Sequence, residues 1–260
     1  MAAVRSQRGC GVAAGRGGKI PWRENPALRV DVPAAEALCG WTFVDELSAV
    51  VALHPHLPGF SRLEFLGDAM LNLSVFSAVT LEGVERGAAA RAVANASLDA
   101  RIDRSPLASS RRSGDVLEAL IGAVHLEGGL RASWAASLRI AAAAAGVSDD
   151  LVAPPVPDAV VLDLRAGAFV GSALLAAVVA DRLCRTEPEW THDRYSDGRS
   201  SLLGTARLAR LARRHLPDRT TDRADATCAD ELQAAAAQRF LDEGWDGGVA
   251  AATGFGVLTP

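Results

Sequence analysis

The sequence predicts an all-α protein built from two helical blocks. Alanine is abundant and aromatic residues supply only 5% of the chain, a balance that favours helix over sheet. Apolar residues recur at three- and four-residue intervals, and the strict alternation of β-branched residues expected of strands is missing. A proline- and acid-rich stretch, GVSDDLVAPPVPD (146–158), divides the helical pattern in two. With 260 residues, 49% of them apolar, the chain has material for a sizeable core.

Residues 1–40 read as a flexible tail. The first 23 residues carry Arg5, Arg8, Arg16, Lys19 and Arg23 and no acid, and Pro21, Pro26 and Pro33 break up the remainder of the segment. No apolar h-region is present, so this is not a secretory signal, and the glycines argue against the amphipathic helix of a transit peptide. GRGGKI (15–20) lacks the first glycine of a phosphate loop and has Ile20 where Ser or Thr should stand, so it reads as linker. From Trp41 the pattern turns helical. WTFVDELSAVVAL predicts a helix over 41–53, stopped by HPHLPG (54–59). Helices are then expected over 61–79, 86–103, 114–127 and 131–145, and after the linker over 160–186, 199–215 and 225–243. The division is therefore a first domain at 41–146, a linker at 147–158 and a second domain at 159–254.

Composition excludes several classes. The formal net charge is −4, so any contact with nucleic acid must use a local basic patch. The strongest is GTARLARLARRHLPDR (204–219), where Arg207, Arg210 and Arg214, with Arg213 at its edge, share one helix face that could dock phosphates. Arg111 and Arg112 add charge just before an acidic segment. Cys10, Cys39, Cys184 and Cys228 are far apart and form no CxxC pair, which suits a reducing, cytoplasmic compartment better than zinc or disulfides. The longest apolar run, AFVGSALLAAVVA (168–180), is short of the ~18 residues that span a bilayer, so no membrane is expected. His54 and His56 flank a proline turn and read as capping or surface groups; no nucleophilic triad is visible.

Two acidic pairs carry the chemistry. In SRLEFLGDAM (61–70), Glu64 and Asp68 are four apart and share a helix face inside an apolar run. In SGDVLEALIGAVHLEGG (113–129), Asp115 and Glu118 are three apart on another. If the helices cross, four carboxylates meet, and their mutual repulsion calls for a cation among them. Oxygen ligands in that number suit Mg²⁺ or Mn²⁺, which would activate a water and neutralise charge on a phosphodiester.

RLEFLGDAML followed by GDVLEALIGAVHLEGG closely resembles the ribonuclease III family, in both segments and in their order. FVDELSAVVALHPH is similar to that family's opening helix and His-Pro turn, and RAVANASLDARI (91–102) to its central helix, so the resemblance covers about residues 41–140. It implies Mg²⁺- or Mn²⁺-dependent hydrolysis of double-stranded or structured RNA, with Glu64, Asp68, Asp115 and Glu118 as metal ligands and Asp68 and Glu118 as catalytic residues. Ser61 stands where the family usually has glutamate, the connection from Ile102 to Asp115 is shorter than usual, and no double-stranded-RNA-binding domain is visible.

Against that template the second block reads as a degenerate copy. RAGAFVGSALLAAVVADRL (165–183) aligns with SRLEFLGDAMLNLSVFSAV, placing Ala168 at Glu64 and Ser172 at Asp68. ADELQAAAAQRFLDEG (229–244) aligns with GDVLEALIGAVHLEGG, placing Asp230 at Asp115 and Gln233 at Glu118. One acid of four cannot hold a hard ion against water. The family acts as a dimer, so the resemblance implies an internal pseudo-dimer with 165–183 against 61–79, or a homodimer, and a chain that nicks one strand. The competing class is a non-catalytic RNA- or ribosome-associated scaffold that keeps the fold.

Overall fold

The computed structural model describes residues 30–103, 107, 113–146 and 160–259, and all regular structure among them is helical. The protein is all-α. The linker at 147–158 lies outside the described residues.

The first helix, α1 (Val32–Cys39), corrects the reading of residues 1–40 as a tail throughout. Asp31 caps it by accepting from Ala34 N at 2.9 Å, and Pro33 sits in the first turn, where a missing N–H costs nothing. Val32, Ala35 and Cys39 are buried. The proline that reads as an interruption is a helix start. α2 (Glu46–Ala52) is shorter than the expected 41–53, because Asp45 caps it by accepting from Leu47 N at 3.0 Å. The residues before it are held by Glu127, whose carboxylate accepts from Trp41 Nε1, Val44 N and Asp45 N.

α3 (Phe60–Leu81) matches its expected span with a residue or two added at each end. The single helix expected over 86–103 is two, α4 (Arg86–Ala92) and α5 (Asn95–Ile102). α6 (Ser113–Ala145) runs continuously but breaks its helical geometry at Gly129, whose φ of 70° and ψ of −167° suit glycine alone, and so recovers the two helices expected on either side. In the second half, α7 (Leu164–Thr186) is capped by Asp163. The helix expected over 199–215 is instead α8 (His192–Leu203) and α9 (Thr205–His215), separated at Gly204, where ψ is 137°. A short α10 (Pro217–Thr220) leads into α11 (Asp225–Gly254), which continues past the expected 243 through a break at Gly244.

Four long helices form the centre in the spatial order α6, α3, α7, α11. α3 and α7 pack antiparallel. Phe76 stacks on Phe169 with ring centroids 4.4 Å apart near one end, and Cys184 Sγ meets Arg62 O at 3.5 Å near the other. α7 is long and apolar enough to cross a bilayer, longer than the run 168–180 suggests, and burial against α3 and α11 accounts for that apolar surface.

Glycines set how closely the outer pairs approach. A Cβ on Gly67 of α3 would lie 1.6 Å from Glu118 O of α6, and one on Gly122 of α6 would lie 2.0 Å from Leu63 O of α3. The second half repeats the device: a Cβ on Gly171 of α7 would lie 1.9 Å from Gln233 O of α11. The sequence alignment pairs those same positions, Gly67 with Gly171 and Glu118 with Gln233. The break at Gly129 recurs at Gly244, the same number of residues further along.

A buried polar link centred on His125 also joins the halves. His125 of α6 is 2% exposed; its Nδ1 lies 3.0 Å from Ser133 Oγ and its Nε2 lies 3.3 Å from Asp181 Oδ1 of α7. Burial pushes the Asp181 carboxyl up, but the hydrogen bond and charge of His125, joined by Arg185, outweigh it and hold the group below its ordinary value of 3.8. Asp181→Ala should therefore cost about 2 kcal/mol at neutral pH. Because the folded-state value is depressed, this stabilisation is present above pH 3.8 and lost as pH falls through the lower folded value. Denaturant melts of the two proteins should converge in strong acid. Burial also pushes the Cys39 and Cys184 thiols up to about 12, leaving both unreactive.

Candidate metal centre

The Gly67–Gly122 crossing lets the backbones of α3 and α6 touch, and that approach brings their acids together. Glu64 projects from α3, Asp115 and Glu118 from α6, and one oxygen from each lies within 4.8 Å of the others. Glu118 is the buried member, 7% exposed. Its carboxyl is pushed from 4.5 up to about 9, first by burial and then by the charges of Asp68, Asp115 and Glu64. A carboxyl shifted this far keeps its proton at neutral pH. An all-carboxylate donor set around a buried acid fits Mg²⁺ or Mn²⁺.

Asp68 stands beside this trio rather than in it. Among the neighbouring carboxylates its charge acts most strongly on Glu118, yet both of its oxygens are engaged elsewhere. Asn72 Nδ2 donates to Oδ1 at 2.7 Å, one helical turn away. Arg199 Nη1 donates to Oδ2 at 3.3 Å. The four converging acids expected from spacing are thus three grouped within 4.8 Å and a fourth held by neighbours.

Arg199 is the site residue that sequence reasoning missed. It belongs to α8, in the second half, and its guanidinium lies 4.8 Å from the centroid of the Phe65 ring. Phe65 stacks on Tyr195 at 5.0 Å, and Tyr195 is fully buried with its hydroxyl donating to Glu187 O at 2.6 Å. The available signal was the spacing of Tyr195 and Arg199, four apart on one helix face.

The other expected residues divide. His54 is buried and its Nδ1 lies 2.8 Å from Val50 O, which fits the capping rather than the surface role expected of it. Arg207 is half-buried and donates to the carbonyls of Gly256 and Thr259, so it ties α9 to the segment after α11 instead of facing solvent. Arg210 and Arg214 are exposed, and Arg213 bonds Asp225 at 2.7 Å. Arg111 and Arg112 lie outside the described residues. In the second half Ser172 Oγ donates to Phe169 O, Asp230 is exposed, and among the described residues no second acidic trio forms. No protein-family model matches the chain and no curated protein matches it.

Proposed function

We propose that this chain is a divalent-metal-dependent endoribonuclease acting on double-stranded or structured RNA. The observation that carries the reading is the buried Glu118 set among Glu64, Asp115 and Asp68, a cluster that is costly without a cation. The resemblance of the segments holding these acids to ribonuclease III supplies the substrate class. Glu64, Asp115 and Glu118 would hold Mg²⁺ or Mn²⁺, with Asp68 beside them as the fourth carboxylate. When bound, the ion supplies a water of lowered pKa and neutralises charge on the phosphodiester. To serve as a ligand Glu118 would have to release its proton to solvent, while Asp68 accepts a hydrogen bond at the edge of the same site.

The second half is a degenerate copy that completes an internal pseudo-dimer. The antiparallel pairing of α3 with α7 and the matched contacts at Gly67 and Gly171 support this. With one acidic site, the chain cuts one strand of a duplex. Arg210 and Arg214 offer exposed charge for phosphates of the bound RNA.

The test is a duplex RNA labelled on each strand in turn, incubated with Mg²⁺ and then with Ca²⁺. Cutting of one strand with Mg²⁺ only, abolished in Glu118→Gln and in Asp68→Asn, is the expected result. Duplexes bound but never cut, with affinity unchanged in those variants, would identify a scaffold instead.

A further inference from the structure

We propose that Arg199 is the movable cation of the site: it neutralises Asp68 until a divalent ion binds, and then takes a phosphate oxygen of the RNA. The inference rests on the metal site proposed above and extends it across the boundary between the halves. The second half keeps only Asp230 of the four matching acids, yet its α8 sends a guanidinium to an acid of the first half.

Three observations carry it. The first is competition for one charge: Asp68 Oδ2 accepts from Arg199 while Oδ1 is held by Asn72, so a divalent ion drawn to Asp68 meets a positive charge already placed there and repels it. The second is the looseness of the tether. The bond to Asp68 is a single one at 3.3 Å, not a bidentate pair. The other hold is stacking over Phe65, which lets a guanidinium slide without losing contact. The third is access. The Arg199 side chain is 30% exposed and that of Asp68 36%, so the guanidinium sits at the rim, where an incoming backbone would arrive. A released arginine next to a metal-bound phosphate finds the planar, bidentate partner that its geometry favours.

Competition predicts opposite changes in two affinities, which a merely structural role would not produce. Mn²⁺ binding measured by calorimetry should be about fivefold tighter in Arg199→Gln than in the wild type, since an exposed ion pair of this kind is lost. Affinity for a duplex RNA in Ca²⁺ should fall about tenfold in the same variant. Arg199→Lys should keep the wild-type Mn²⁺ affinity and recover part of the RNA affinity. Equal or weaker Mn²⁺ binding in Arg199→Gln, or unchanged RNA affinity, overturns the proposal. Glu118→Gln in the same titration separates the two readings. If it takes up Mn²⁺ as the wild type does, the carboxylate site itself is wrong and both readings fall. If it does not, while Arg199→Gln matches the wild type, only the role of Arg199 is lost.

Discussion

Glu118→Gln should melt higher than the wild type when both are metal-free at pH 8, and should no longer be stabilised by Mg²⁺. The wild-type carboxyl titrates at about 9 in the folded state against 4.5 ordinarily, so across that window the folded chain holds a proton that the unfolded chain has released. A raised folded-state value gives stability that is full below pH 4.5 and drains away as pH rises to about 9. Glutamine keeps the shape and carries no charge at any pH, so its curve should be flat over the same range. The melting temperatures should therefore separate with rising pH, reaching roughly 15 °C at pH 8. Mg²⁺ should reverse the order by stabilising only the wild type, and increasingly so with pH, because its binding drives the Glu118 proton off. The proposed cutting of duplex RNA should fall at least about a hundredfold in the variant. Parallel curves for the two metal-free proteins from pH 5 to 9 would show that the folded chain does not hold the Glu118 proton, and no Mg²⁺-induced rise in the wild type would show that the cluster holds no cation.

Gly67→Ala should cost about 3 kcal/mol or more, roughly 10 °C in melting temperature. A methyl 1.6 Å from Glu118 O cannot be accommodated by a rotamer change, because the obstacle is backbone and the helices must part. Gly171→Ala meets Gln233 O at 1.9 Å and should lose a comparable amount, while Gly254→Ala, with open space around it, should be near neutral. The informative comparison is functional. Parting α3 from α6 moves the Glu118 backbone away from Glu64, so Gly67→Ala should also lose its Mg²⁺-induced rise in melting temperature. Gly171→Ala separates helices that keep only Asp230 of the four matching acids and should keep that rise. Equal retention in both would mean that the close crossing does not build the site.

The acids of α3 and α6 are legible because helical spacing puts each pair on one face whatever surrounds it. That the pairs meet is legible only through the family resemblance, since spacing within a helix says nothing about which helices cross. Asp68 shows the limit. Its position on α3 follows from sequence, but its partners Asn72 and Arg199 depend on packing, and Arg199 lies 131 residues away. Only half of α8 is visible in the sequence, because HDRYSDG (192–198) is polar and contains a glycine, which reads as a loop; Tyr195, buried between Phe65 and Trp190, anchors the segment as helix. Arg207 misleads for a related reason: an amphipathic helix shows which face is polar, not whether another segment covers it. Residues 32–39 read as a tail because proline in a first turn and proline in a linker look alike until the Asp31 cap is seen.

The position of α3 between α6 and α7 bears on how the protein is made. When the first half has left the ribosome, α3 can already settle on α6, but the side that carries Phe76 and faces α7 still lacks its cover. Until α7 emerges, a row of apolar side chains stays open to chaperones and to other nascent chains. A half without an acidic cluster of its own is thereby what allows the half that has one to leave synthesis as a finished molecule.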